Sequence, residues 1–501
     1  MNRLLLPFAV FLVAASGSRS MAVAPAGDDE AKAITALERA MNQAKDPGGS
    51  VLQVIDDLRK FDSPAVAEVL VKAFTQLEVD AQKTDGQAHA DIEKGKLSPG
   101  EVISRRAAID PLRKAQAELL DRVSLLRSEA TLAWLIDHVI GDEKCSASLK
   151  IECVKAAAAS GKGAVEPLQR ALARMKKPDD AMAVLTACEQ LGPAARPLAD
   201  ALIPLLDHKD ATVREAAAMA LSKVAVPQSI EPLIRRIALE TGRTQLKMVI
   251  ALEILTKQKH GLGVQAWQSW FAAEGIRYTS GQAEVGGGTS TVTAQAAGYF
   301  HEIPQDSRSI CYVVDVSGSM VVSLTDPKFE GPDNNPKPIP AAPGEASRMS
   351  CSKTELVKAL GQLPPGTLFN IVIFSTKAER YSPKLVTADE ASIKKAQKWV
   401  EALEPNGATN IYDAMELAFG LAGRGAQDKY YDSGIDTIFL LTDGEPFLPN
   451  GKDSTERILQ AVRRMNPYKR ITVHTIGLGK KIDADFLRKM ATDNNGVFKQ
   501  E

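Results

Sequence analysis

Residues Ser309–Met320 read SICYVVDVSGSM, and no other stretch limits the fold so tightly. Ile310 to Val314 is largely β-branched and apolar on both faces. A strand of that composition has no face to turn to water. It belongs inside a parallel sheet with helices packed on both sides. The run then breaks into Asp315, Ser317, Gly318 and Ser319. Three oxygen-bearing side chains at alternate positions follow the strand, and the glycine permits a tight turn. Carboxylate and hydroxyls, without thiol or imidazole, are hard donors. They suit Mg²⁺ or a similar cation and suit zinc or copper poorly.

Two later stretches carry the same chemistry. Asn406–Asn410 reads NGATN and sets Thr409 on a turn before the helical run Ile411–Leu421. Thr437–Glu445 reads TIFLLTDGE, a second buried strand ending in Asp443 and Gly444. Each of the three segments puts an oxygen donor at a strand end or a helix start. In an open α/β sheet such places meet at the carboxyl edge, where the strand order reverses. The competing expectation is three ordinary turns and helix caps, with no metal between them.

On these motifs, residues 305–501 resemble a von Willebrand factor type A domain, an α/β doubly wound, Rossmann-like fold. The resemblance implies a metal-ion-dependent adhesion site built from Asp315, Ser317, Ser319, Thr409 and Asp443. It implies Mg²⁺, or another divalent cation such as Mn²⁺ or Ca²⁺, held directly by the hydroxyls and often through water by the acids. It also implies a protein partner that offers an Asp or Glu carboxylate to the metal. A fold retained with its metal lost is the alternative. The account fails if the Asp315 and Asp443 loops lie apart, or if a basic side chain fills the gap between them.

With 501 residues the chain is too long for one core. Arg3 followed by the apolar run Leu4–Ala15 and small residues predicts a cleavable signal peptide over residues 1–24. The run is short for a membrane anchor, and no second long apolar segment follows. Residues 29–276 carry helical periodicity. Pro167-Leu168, Pro197-Leu198 and Pro232-Leu233 each open an amphipathic run, at intervals of about 30 to 35 residues. Val165–Leu172, Arg196–Leu206 and Ile230–Leu239 are expected to pair with Ala181–Leu191, Thr212–Val224 and Gln245–Leu255. This resembles HEAT-type repeats and implies an all-α solenoid. Trp267, Trp270 and Phe271 share one helix face and are expected to cover its end.

Residues 277–304 are rich in Gly, Ser and Thr and read as a loose linker. A proline-rich insertion over 321–349 separates the first metal loop from its helix, expected at Ser352–Leu363. Asp326, Glu330, Asp333 and Glu345 are acids there within chain reach of the metal. His474, on an apolar strand, reads as a core histidine.

Net charge is −1, so no basic field draws the chain to nucleic acid. No nucleophile–base pair or phosphate loop is legible, which argues against an enzyme. Export would permit a Cys311–Cys351 disulfide, against the competing expectation of buried free thiols. The leading expectation is a secreted, periplasmic or cell-surface protein that grips a partner carboxylate through a metal. The alternative is a structural scaffold or assembly factor that binds through its helical repeats.

Overall fold

A computed structural model describes residues 27–42, 45–93, 109–175, 177–290, 292, 298–325, 327–330, 337–421, 434–444, 446–448, 451–452, 454–479 and 482–501. The expected signal peptide lies outside these residues, as do Asp326 and Asp333.

The described residues between Asp28 and Thr279 are mainly helical. Their helices are of two kinds, and composition separates them. Pro178–Leu191 buries side chains almost all round, including Met182, Val184, Leu185 and Cys188. A helix without a polar face must be sandwiched. Accordingly Ala147–Ala159, Pro178–Leu191, Ala211–Val224 and Gly242–Thr256 pack successively against one another as an inner layer. Their alanines let the backbones approach. Ile230–Ile237, in contrast, buries one stripe, Ile230, Leu233, Ile234 and Ile237, and lies outside against Gly242–Thr256. This is the stacking of a helical-repeat solenoid. One expected helix differs. Across 196–206 the chain forms a short α-helix, Ala199–Leu202, flanked by 3₁₀ turns Gly192–Leu198 and Ile203–Asp207. Pro197 and Pro204 remove backbone donors there, so regular α bonding cannot run through.

Trp267 is buried in the solenoid core and donates from Nε1 to the Gly261 carbonyl at 2.8 Å. Trp270 and Phe271 pack beside it, half-buried. The Gly/Ser/Thr-rich segment that follows is not loose throughout. Gly286 N donates to Leu255 O at 2.8 Å, Gly288 N to Ile254 O at 3.0 Å, and Ser290 Oγ to Glu253 at 2.7 Å. A Cβ on Gly288 would sit 2.6 Å from the Glu253 carbonyl. Glycine is what lets this strap lie directly on the helix end.

The carboxy-terminal part is a seven-stranded sheet. Its strands are β1 (Ser309–Asp315), β2 (Leu368–Phe374), β3 (Ala378–Arg380), β4 (Val386–Thr387), β5 (Thr437–Thr442), β6 (Thr472–Gly477) and β7 (Phe498–Gln500). The order is β7-β6-β5-β1-β2-β3, with β4 also on β2. Pairs among β7, β6, β5, β1 and β2 are parallel, and only β3 and β4 run antiparallel, at the edge. From central β1 the chain goes first to β2 and later to β5 on the other flank. The strand order therefore reverses between β1 and β5, and crevices form at such points.

β1 is buried along its whole length, and its side chains alternate between two cores. Cys311 and Val313 join the core under helices Ile411–Gly420, Thr455–Met465 and Ala484–Asp493. Ile310, Tyr312 and Val314 join the core under Arg348–Gly361 and Glu390–Glu401. This parity goes against the possible Cys311–Cys351 disulfide and for the competing expectation of free thiols. Cys351 lies on Arg348–Gly361, across the sheet from the Cys311 side chain, and all five cysteines are free thiols. Burial pushes the Cys145 and Cys188 thiols up to about 12, so they are inert packing groups.

The helical part docks on the amino edge of the sheet. Arg243 Nη1 donates to Asp436 O at 2.9 Å and to Thr472 Oγ1 at 3.2 Å. Its Nη2 donates to Arg470 O at 3.2 Å, and Arg470 reaches back to Asp179 at 3.4 Å. These groups stand where β5 and β6 begin. The opposite edge, about 20 Å away along six-residue strands, is left for the site.

Candidate metal centre

Register brings the first and third loops together. β1 and β5 pair in parallel with Val314 level with Leu441, so Asp315 and Thr442 leave the edge side by side. Thr442 Oγ1 donates to Asp315 Oδ2 at 2.6 Å. The backbone N–H of Ser317 donates to Asp315 Oδ1 at 2.8 Å, which closes the loop on itself. The hydroxyls of Ser317 and Ser319 lie 3.0 Å apart, and Ser319 Oγ donates to Asp443 Oδ1 at 2.9 Å. Asp315, Ser317, Ser319 and Asp443 thus form one connected cluster. Asp315, Ser317 and Asp443 are almost wholly buried.

The second loop is laid against the first by its backbone. Asn406 N donates to Val316 O at 2.8 Å, and Gly318 N to Gly407 O at 3.0 Å. Gly407 has φ +77°, and a Cβ there would meet Thr376 Oγ1 at 2.6 Å, so glycine is required. Thr409 follows, buried, and pairs with Phe447 beyond the Asp443 turn through N–H···O bonds of 2.7 and 3.0 Å. Asn410 then caps the next helix by accepting from Asp413 N. All five expected residues therefore stand on three adjoining loops at one sheet edge. Four are linked through side chains or side chain to backbone, and Thr409 is held there by its backbone.

One residue in the cluster was missed by the sequence reading. Arg348 Nη1 donates to Asp443 Oδ2 at 2.7 Å, and both groups are almost fully buried. Arg348 opens the helix Arg348–Gly361, which begins four residues earlier than expected, with Ser347 as its cap accepting from Ser350 N. The insertion hides it: 28 positions separate Arg348 from Met320 in the sequence. In the fold the base of that insertion is zipped. Leu324 N donates to Ala346 O and Arg348 N to Val322 O, both at 3.0 Å. Further out, Lys328–Glu330 and Lys337–Ile339 pair as an antiparallel hairpin. Of the acids considered there, Glu345 accepts from Ser323 Oγ at 2.6 Å and from Ala342 N, so it is spent on the base. Glu330 is exposed on the hairpin.

A basic side chain filling the gap between the two acidic loops would undo the metal reading, and Arg348 stands on the Asp443 side of that gap. Arg348 takes Oδ2 of Asp443 alone; Oδ1 faces Ser319, and among the described residues Asp315 has no ion-pair partner. Two buried carboxylates thus face one buried guanidinium. Burial first, and then the charge of Asp443, push the Asp315 carboxyl up to about 7. Burial also raises Asp443, opposed by Arg348. Such a site has one negative charge too many for its burial. A divalent cation beside the Ser317 and Ser319 hydroxyls would more than offset that charge, and carboxylates with hydroxyls are the donors a hard cation takes.

Residues 345–499 match the family model described as von Willebrand factor type A domain, and residues 168–253 match HEAT repeats. The first match begins in the last residues of the insertion, so it includes Arg348, Thr409 and Asp443 but not the Asp315 loop. Inter-alpha-trypsin inhibitor heavy chain H4 of Homo sapiens is 28% identical over 225 residues, 44% of this chain and 21% of that protein. Inter-alpha-trypsin inhibitor heavy chain H1 of Mesocricetus auratus is 28% identical over 193 residues, 38% of this chain and 18% of that protein. The chain spans about a fifth of the length of these relatives. Among solved structures, a von Willebrand factor type A protein from Catenulispora acidiphila aligns at 20% identity with a TM-score of 0.29, over 39% of this chain and 38% of that one.

Proposed function

From a chain that carries a von Willebrand factor type A domain behind a stack of HEAT repeats, we propose an exported binding protein, not an enzyme, that grips a partner's carboxylate through a divalent cation. The observation that supports this is the charge of the carboxyl edge. Asp315 and Asp443 are buried together, Arg348 offsets one of them, and two hydroxyls line the same cluster. Mg²⁺ takes about six oxygens and sheds water reluctantly. Asp315, Ser317, Ser319, Thr409 and Asp443 would hold such a cation, and it would supply a Lewis acid for one more anionic oxygen, such as a partner's Asp or Glu carboxylate. The protein's own residues do the positioning. Ser317 N and Thr442 Oγ1 fix both oxygens of Asp315, and Ser319 and Arg348 fix those of Asp443. For export, the sequence of residues 1–24 is the support. Among the described residues no helix is long and apolar enough to cross a membrane.

The test is a Mg²⁺ titration followed by calorimetry and by the thermal midpoint. Wild type is expected to bind one ion per chain and to melt higher with it. The double variant Asp315→Ala, Ser317→Ala is expected to lose both effects while keeping its far-ultraviolet circular dichroism. A wild-type chain indifferent to Mg²⁺, Mn²⁺ and Ca²⁺ alike ends the proposal.

A further inference from the structure

We infer that Arg348 is a positioning residue that makes the cation-loaded site net positive, and so sets an anion as its guest. This rests on the metal reading above. The charge count is direct. With both carboxyls ionised beside a bound cation, Asp315 and Asp443 contribute −2 and the cation +2, so without Arg348 the loaded site is neutral. With Arg348 it carries +1. A neutral site accepts water or an amide carbonyl about as readily as a carboxylate. A buried site with one excess positive charge favours a monoanion, because charges in a poorly solvated place are weakly screened.

The structure holds Arg348 for this role from several sides. Its backbone N–H is tied to Val322 O at the base of the insertion, and Ser347 caps its helix. Nη1 is on Asp443, Nε has no hydrogen-bond partner among the described residues, and the guanidinium lies over Gly479. A Cβ at Gly479 would come within 2.8 Å of Nη2, and Gly479 has φ +91°. The glycine leaves room for the guanidinium. Arg348 bonds to Oδ2 of Asp443, while Oδ1 accepts from the Ser319 hydroxyl, so the guanidinium leaves Oδ1 on the side of the two serines. The charge is therefore placed next to the cation without occupying its donors. The same contact joins the insertion base to the metal loop.

The consequence is reciprocal linkage: an anion tightens Mg²⁺ binding, and Arg348 sets by how much. The probe is acetate, with chloride as control, and the readout is Mg²⁺ affinity by calorimetry on the full chain. In wild type, acetate is expected to tighten Mg²⁺ binding. Arg348→Gln is expected to bind Mg²⁺ about tenfold tighter without acetate, since a nearby positive charge is gone, and to lose the acetate effect. Arg348→Lys is expected to keep that effect. Removing one partner of a buried pair can unfold the chain, so a second variant carries the same test. Arg348→Gln combined with Asp443→Asn leaves the loaded site at +1, and is expected to bind Mg²⁺ more weakly yet retain the acetate effect. If wild type and Arg348→Gln share one Mg²⁺ affinity and one acetate effect, the inference is overturned and the metal reading stands. Loss of the acetate effect in the double variant also overturns it. If wild type binds no divalent cation, both are overturned.

Discussion

At the scale of single residues, the same physics that isolates Asp315 also acts on His474. It sits on β6, stacked on Phe439 with ring centroids 4.9 Å apart. Val497 N donates to its Nδ1 at 3.1 Å, which is an acceptor's role and needs the neutral ring. Burial first, and then the Arg243 charge, lower its titration from 6.5 to about 4. It is half-buried on the sheet face, where the sequence suggested a core histidine. A base with a depressed folded value contributes stability that is full above pH 6.5 and is lost as pH falls through about 4. His474→Gln is therefore expected to flatten the urea midpoint between pH 7 and pH 4 relative to wild type. Parallel acid limbs for the two proteins would assign the acid loss elsewhere. Arg348 shows the opposite side of legibility. Nothing in its neighbourhood, ASRMSCSK, marks it as a partner of Asp443, 95 positions away.

At the scale of elements, the repeats depend on caps and breaks as much as on apolar stripes. Asp210 ends the turn before Ala211–Val224, and its Oδ1 accepts from Thr212 N at 2.8 Å and from the Thr212 hydroxyl. That helix is the middle of the inner layer, packed on Pro178–Leu191 and on Gly242–Thr256. Asp210→Ala is expected to cost about 1 kcal/mol, the usual value of such a cap. Urea unfolding measures it, and an unchanged midpoint would show that packing alone holds this helix start. In the sequence this start reads HKDATVRE, a polar turn ahead of an alanine-rich run. Less visible was the fate of the glycines at 286–288. Composition describes what a free segment does, whereas a close neighbour turns the same glycines into a contact surface.

At the scale of the whole molecule, the two parts meet through arginines. Arg243 donates to groups at the start of β5 and at β6, and its Nε lies 3.2 Å from Glu215 within the helical part. Tyr468, just ahead of β6, packs into the solenoid core. This seats the repeats at the amino edge, with the candidate metal loops at the other end of the strands. Arg243→Ala is expected to remove roughly 2–3 kcal/mol from the junction, the scale of hydrogen bonds from a charged donor. It should split calorimetric unfolding into two transitions. A single transition at the wild-type temperature would mean the junction is held by other contacts.

The division between sequence and structure follows the range of the forces. Local patterns alone determined that β1 is buried on both faces, that Asp315, Ser317, Ser319, Thr409 and Asp443 end strands or precede a helix, and that alanine-rich helices must stack. Each of these depends on neighbours within a few positions. Only the tertiary structure decided that Arg348 rests on Asp443, that Cys311 and Cys351 face opposite sides of the sheet, and that the strap lies on the last repeat. Those outcomes turn on strand parity and on register between distant segments. A shift of one position in either moves a side chain to the other face, and no composition records it.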